Sequence, residues 1–356
     1  MELIKCGIIA KFCAAMAMIA GLSSCNGMIY DEQGDCDPYY KVKFVYDTNL
    51  KFTDAFPAEV SAVTLYLLDP ETDRVVWQKT ESGEALAQEG YMMDVDVEPG
   101  NYTLLAWCGE GHQTSFKVSD ATVGKNLQCR LDDRQPASGM LTGGSHVRNE
   151  LKRLFHGMSA DVEFENEQGV HIKTVRLIKD TNDLHIVLQH LSGNSLNHED
   201  FTFTISGDNG KMDYDNTLLP DEPLTYFAHS SYSGLAGVDV PDYTTPETEK
   251  DGSRYVTQVA AAVAHISTSR LTEGGDLKVN IYNKEGEQIV SVPLIDYALL
   301  VRSHYKRPDG TPLTDQEYLD YQDDYSMVFF LDDQGRWMDS YIYINSWRVI
   351  LQNVDM

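Results

Sequence analysis

Apolar and polar residues alternate with a period of two through most of this chain, and helical periodicity is scarce. Tyr40 to Asp47 places Val42, Phe44 and Tyr46 on one face, and Glu59 to Asp69 does the same with Val63, Leu65 and Leu67. Arg74 to Thr80 follows a turn-forming Asp69-Pro70-Glu71-Thr72-Asp73. Tyr91 to Val97 alternates Val95 and Val97 with Asp94 and Asp96, and the turn Glu98-Pro99-Gly100-Asn101 leads into Tyr102 to Cys108. Apolar residues alternating with charged ones, between short Pro/Gly turns, describe antiparallel strands wet on one face. Several of them at close spacing predict a β-sandwich.

Gln135 to Asn149 is rich in Gly and Ser and has no period, so it predicts an excursion between domains. New structure begins at Leu151, and the boundary is expected near residue 150, giving one β-unit over 39–150 and another over 151–356. In the second, Leu184, Ile186 and Leu188 alternate, and Phe201 to Ser206 forms a short strand. The Ala-rich, β-branched run Tyr255 to Thr268 fits a strand packed closely on another layer. Leu277 to Tyr282 and Glu287 to Pro293 flank a hairpin turn at Asn283-Lys284-Glu285-Gly286. Helices are expected over Ile295 to Tyr305 and Thr314 to Tyr321, the latter opened by a capping box of Thr314 and Glu317. Tyr325 to Asp332 and Trp337 to Asn353 close the chain. In the last run Tyr341, Tyr343, Asn345, Trp347, Val349 and Leu351 share one face, and Ile342, Ile344 and Ile350 the other. A strand apolar on both faces is either buried or a pairing segment for another chain.

The first two dozen residues have a different pattern. Lys5 and Lys11 precede a short apolar run, too short to span a bilayer, as in a secretory signal over residues 1–24. It ends in Leu22-Ser23-Ser24-Cys25, which predicts cleavage between Ser24 and Cys25 and acylation of the Cys25 thiol. Each buried methylene adds about 0.8 kcal/mol, so two or three acyl chains hold a soluble body firmly. Asn26 rather than Asp follows the cysteine, which favours the outer membrane. Residues 25–38 are polar and acidic and read as a flexible tether.

The formal charge is −27; removing Glu2, Lys5 and Lys11 removes a net +1 and leaves −28. That balance excludes nucleic acid as a partner and argues against a basic membrane-surface patch. Three cysteines remain beyond Cys25, and Cys108 with Cys129 is the favoured disulfide, leaving Cys36 over. No zincin, nucleophile-elbow, P-loop or dinucleotide motif is present, so neither catalysis nor a cofactor is expected. His185 and His190 sit five apart in a strand and point to opposite faces, which is poor geometry for one metal. Twenty tyrosines and four tryptophans leave a glycan-binding surface lipoprotein as an alternative, with Trp337 the tryptophan expected to be exposed.

Several stretches, in order, resemble the FimB-type fimbrial anchor lipoproteins of type V pili. They are Val42 to Asn49, Phe52-Thr53-Asp54-Ala55-Phe56, Val63-Thr64-Leu65-Tyr66, Pro99-Gly100-Asn101-Tyr102, Ala106-Trp107 and Leu154-Phe155-His156-Gly157. Thr181-Asn182-Asp183, Ser267-Thr268-Ser269-Arg270-Leu271 and Tyr343-Ile344-Asn345-Ser346-Trp347 complete the series. The resemblance implies an all-β protein of two tandem transthyretin-like sandwiches with a few short helices. It also implies a subunit that joins a fimbria to the outer membrane and limits its length. Its partner would be a stalk subunit engaged by β-strand addition. Stalk subunits of such pili lose an N-terminal strand after cleavage at a basic residue. Here Asn26 to Asp37 holds no Lys or Arg, and the first basic residue is Lys41, inside the first strand. That favours an uncut anchor over a stalk subunit, with a tip or accessory subunit as the other fimbrial reading.

Overall fold

The computed structural model describes residues 37–110, 115–137, 144–190, 194–239, 256–332, 334–337, 342–344 and 347–349. The expected signal, Ser24, Cys25, Cys36 and most of the tether lie outside them. The chain forms β1 (Pro38–Val45), β2 (Ala62–Leu68), β3 (Val75–Ser82), β4 (Met93–Val95), β5 (Gly100–Gly109), β6 (Phe116–Val118), β7 (Cys129–Leu131), β8 (Gln135–Pro136), β9 (Ser145–Val147), β10 (Leu154–Phe164), β11 (Gly169–Arg176) and β12 (Ile178–Lys179). It continues with β13 (Thr181–His190), β14 (Thr202–Gly207), β15 (Lys211–Met212), β16 (Leu224–Phe227), β17 (Ser230–Asp239), β18 (Val256–Ser269), β19 (Lys278–Tyr282), β20 (Gln288–Pro293), β21 (Asp324–Leu331), β22 (Ile342–Ile344) and β23 (Trp347–Val349).

The expected all-β architecture is present as stacked sheets. In the first unit a sheet ordered β11-β1-β4 faces a sheet ordered β12-β10-β5-β2-β3. Alternation supplies the core between them: Val42 and Phe44 from β1, Val63, Leu65 and Leu67 from β2, Leu104 and Ala106 from β5, and Phe155 from β10. In the second unit a sheet ordered β17-β18-β13-β21-β22-β23 faces one ordered β20-β19-β14-β16-β9-β8. The Ala-rich run is indeed a strand, β18, whose Ala262 and Ala264 are fully buried in that core. Helices are few and short: Phe56–Glu59, Leu294–Leu299 and Asp315–Tyr321, with the expected Thr314–Glu317 capping box opening the last. No helix among the described residues is long and apolar enough to cross a membrane.

The division between the units runs differently from the pattern of alternation alone. The excursion from Gln135 contributes β8 and β9 to the second unit, with β9 lying parallel to β16. The chain then returns: β10 pairs with β5, and β11 runs parallel to β1 over eight register positions. Alternation reports which face of a strand is buried, not which sheet receives it, so residue 150 marked a change of composition and not a change of unit. We propose that the two sandwiches divide at Asp180, between β12 of the first and β13 of the second.

That junction is polar and tightly buried. Arg270 lies between Asp180 and Asp320, with a guanidinium nitrogen 2.9 Å from each carboxylate. Asn216 donates to the same Asp180 oxygen at 2.9 Å. Beside it, Asn209 donates to the carbonyls of Ser269 and Arg270 and accepts from Tyr226. Asp208-Asn209-Gly210 crosses from β14 to β15, which lies in a different sheet. Lys179 reaches Asp323 at 2.6 Å across the units. His156 of β10 bonds the Tyr214 carbonyl at 2.8 Å and packs edge-on to Trp107. Gly157 follows it facing β11, where an added Cβ would lie 2.7 Å from the Arg176 carbonyl, so only glycine fits.

Two groups here titrate in opposite senses. Burial pushes the His156 pKa down to about 4, so between its ordinary value and pH 4 the unfolded chain binds a proton that the folded one refuses. Its contribution to stability is present above pH 6.5 and is lost as pH falls. Burial raises Asp180 to about 6 against the pull of Arg270, so its contribution is full below the ordinary carboxylate range and is lost as pH rises through 6. Urea unfolding of wild type and His156→Gln at pH 7 and pH 5 separates the two. We predict that the variant loses about 2 kcal/mol less than wild type over that interval. Equal losses would mean that the imidazole takes up its proton within the intact fold.

Candidate functional site

β1 is the first described strand. It is a central strand, bonded on one side to β11 from Pro38↔Gly169 to Val45↔Arg176 and on the other to β4 at Tyr40↔Val95. β1 is therefore paired on both sides within this chain, along its whole length to β11 and over Tyr40–Val42 to β4. Its inward residues Tyr40, Val42 and Phe44 are almost wholly buried. Tyr40 donates to the Glu165 carbonyl at 2.7 Å and packs edge-on to Phe164. Phe44 stacks on Phe56, and Tyr46, just past the strand, packs on Phe155. Such a strand fills a groove between β4 and β11 with three alternate side chains, the geometry by which strand addition sets register.

The segment after β1 is knotted by its own side chains. Asp54 accepts from the amides of Tyr46 and Phe56, and Asn49 donates to the carbonyls of Tyr46 and Thr53. Phe52 takes a positive φ of 51° and lays its ring on Tyr321, while the Leu50 amide donates to the Tyr321 carbonyl at 3.1 Å. The end of β1 is thus fastened to the second unit.

At the other end of the chain, the expected strand Tyr341 to Asn353 is corrected. Ile342–Ile344 and Trp347–Val349 are separate antiparallel strands, paired Ile342↔Val349 and Ile344↔Trp347. A hairpin explains why apolar residues occupied both faces of the run, because alternation resets at the turn. β22 pairs with β21, Ile344 is fully buried in the second core, and β23 is the edge of its sheet. Tyr341, Asn345 and Leu351 lie outside the described residues.

The expected disulfide does not form: Cys108 and Cys129 are both free and buried. Cys108 belongs to the core between the first two sheets, whereas Cys129 packs beyond the opposite face of β5, beside Trp107. Adjacent strand residues point apart, so Cys108 turns away from the side that Trp107 shares with Cys129. Burial raises both thiols well above their ordinary pKa, which makes them inert. Trp337 is partly buried against Phe329 rather than exposed, which removes the observation that favoured glycan stacking.

A cluster absent from the sequence reading lies on the outer face of the β13 sheet. His185 and His265 meet edge-on at 4.5 Å, with His229 beside them and Asp324 3.2 Å from His185. The bond to Asp324 raises the His185 pKa, and burial lowers that of His265. Only the pairing of β13 with β18 and β21 brings them together, so no spacing could have signalled it. Among the described residues no group of His, Cys, Asp and Glu is arranged to hold a metal ion.

A family model described as fimbrillin-A associated anchor proteins Mfa1 and Mfa2 matches residues 32–353. The minor fimbrium anchoring subunit Mfa2 of Porphyromonas gingivalis is 24% identical over 314 residues, covering 85% of this chain and 90% of that protein. Among solved structures, a Bacteroides thetaiotaomicron protein described as a candidate adhesin superposes with a TM-score of 0.72 at 28% identity, covering 90% of this chain and 100% of that one. The fimbrial anchor protein Mfa2 from Porphyromonas gingivalis shares the fold, with a TM-score of 0.58 at 16% identity over 89% of this chain and 100% of that one.

If β1 is an integral strand, its buried face carries stability and its outer face does not. We predict that Phe44→Ala costs about 3–5 kcal/mol in urea unfolding and Lys43→Ala under about 0.5 kcal/mol. Equal costs would show that β1 is not part of the folded body.

Proposed function

We infer, for a chain that belongs to the Mfa2 family of fimbrillin-A associated anchor proteins, that it holds the base of a fimbria to the outer membrane through lipid on Cys25 and limits the length of the fibre. A structural, non-enzymatic role in a fimbria follows from the family itself. The finer reading rests on one observation, the place of β1. This strand occupies its own groove, and no Lys or Arg separates it from Cys25, so a protease specific for basic residues finds no site in the tether.

An anchor differs from a stalk subunit in that respect. A stalk subunit gives up its N-terminal strand and accepts a neighbour's in its place, so it can always be extended on that side. A subunit that keeps β1 has no vacancy, and growth ends where it is added. Lipid on the same tether fixes that end to the membrane. The engagement with the lowest stalk subunit then falls to another surface, and we assign it to the C-terminal segment from Trp347, whose strand β23 is the edge of its sheet among the described residues. Strand addition there would use backbone bonds for affinity and side-chain pockets for register.

Fibres from cells carrying Cys25→Ala test the anchoring. The expected outcome is long fibres shed into the medium, measured by length and by retention on sheared cells. Fibres of ordinary length that stay attached would overturn the lipid-anchor reading. A chain truncated after Ile344 tests the C-terminal assignment separately. It should remain in the membrane fraction and fail to copurify with the stalk subunit, whereas full copurification would remove β23 from the contact.

A further inference from the structure

The outer face of the β1 sheet is unusual for this protein. Tyr39 is 50% exposed, Val170 59% and Ile172 51%, and all three lie on that face. Register makes them neighbours, with Tyr39 opposite Val170 and Lys41 opposite Ile172. A cleft beside them is rimmed by Trp77, Pro38 and Val97. Exposed apolar residues scattered singly need no explanation, but a contiguous set marks a contact surface.

Three observations identify the occupant. The patch begins two residues after Asp37, the first described residue, where the tether enters the body. Asp37 lies twelve residues after Cys25, so an extended tether reaches at most about 40 Å and a slack one much less. This is the part of the body held nearest to whatever carries the lipid. Charge is locally balanced on a chain of −27. Lys41, Lys43 and Lys79 nearly offset Asp37, Asp94, Asp96 and Glu81, with ion pairs between Lys41 and Asp94 and between Lys79 and Glu81. Acidic repulsion from an anionic surface is therefore weak here, within the reach of a Debye length. Lastly, Tyr and Trp with flanking lysines is the composition that settles at a membrane interface, where rings sit among headgroups and lysine stems snorkel.

We propose that this face of the first sandwich, centred on Tyr39, Val170 and Ile172, rests in the headgroup region of the membrane that holds Cys25. The surface orients the body, so that the second sandwich and its C-terminal edge point away from the bilayer toward the fibre. The proposal rests on the lipid-anchor reading above. It adds a second, non-covalent contact to the acyl chains.

The test uses the full lipidated chain with Cys36→Ser, reconstituted into vesicles of phosphatidylethanolamine and phosphatidylglycerol. A bimane label is placed at Ile172→Cys or, as a control, at Leu300→Cys, an exposed site of the second unit. With headgroup-nitroxide lipid in the vesicles, the label at 172 should lose about half its emission and the label at 300 almost none, since an interfacial face lies within ~5–10 Å of the headgroups. Adding Tyr39→Ser and Val170→Ser should abolish the quenching while the protein still floats with the vesicles. A protein that does not float overturns the lipid-anchor reading itself. One that floats with no quenching at 172 overturns the membrane-facing surface alone. A label at 172 that is already shielded in detergent, without vesicles, also overturns it, by showing that the tether or a second copy covers the face.

Discussion

Arg270 is the residue on which the arrangement of the two sandwiches depends. Asp180 is a single residue between the last strand of one unit and the first of the next, and its side chain is fully buried. A buried carboxylate there is costly unless it is paired, and Arg270 pairs it while also holding Asp320 on the helix Asp315–Tyr321. Such a triad adds little net stability compared with an apolar substitute. Removing one partner, however, strands the others' charges and costs about 3–5 kcal/mol. Its effect is to admit one geometry. The chain can turn from β12 into β13 only where the carboxylate meets the guanidinium.

Around this hub the apolar core is continuous. It runs from Tyr66 of β2 and Leu105 and Trp107 of β5, on the outer face of that sheet, through Phe116, Cys129 and Leu131, to Ile186, Ile205 and Ile344 in the second unit. The β10 sheet is therefore buried on both faces, with Phe155 turned to one core and His156 to the junction. The proposed anchor role, with load from a lipid tether at one end and from a fibre at the other, gives such a joint a purpose. Pull on β1 passes sideways into β11 and β4, then across the first core and the Asp180 hub, and reaches the C-terminal edge without crossing a bare linker. The knot of Asn49 and Asp54, which fastens the end of β1 to Tyr321, adds a second path.

Much of this was legible in the chain, and the rest was hidden for a definite reason. Alternation located the strands of both units, including the Ala-rich β18, and the Thr314–Glu317 box located a helix start. These are local signals, read within a few residues. What failed required knowledge of pairing. The β10–β12 segment follows a stretch rich in glycine and serine, yet it belongs to the first unit because β10 finds β5 and β11 finds β1. The C-terminal run was two-faced because it contains a turn. Cys108 lies near the end of β5 and Cys129 opens β7, but they face different cores. The imidazoles of His185, His229 and His265 meet only across three strands. The proposed lipid site at Cys25 was readable as a motif, whereas the filled groove became visible only once β1 lay between its neighbours.

The stretches that carried the family resemblance show why it could be recognised at low identity. Many sequences satisfy an alternating core, since Val, Leu and Ile exchange there at modest cost. Other residues of those stretches sit where one side chain is required. Asp54 and Asn49 tie the knot after β1, and Gly157 admits the crossing of β11. Asn182 and Ser269 satisfy backbone at the junction, and Arg270 closes it. A buried polar group left without its partner is penalised more heavily than a core methyl is missed. A polar joint therefore tolerates fewer exchanges than an alternating core, and it is the joint that fixes how the two sandwiches meet.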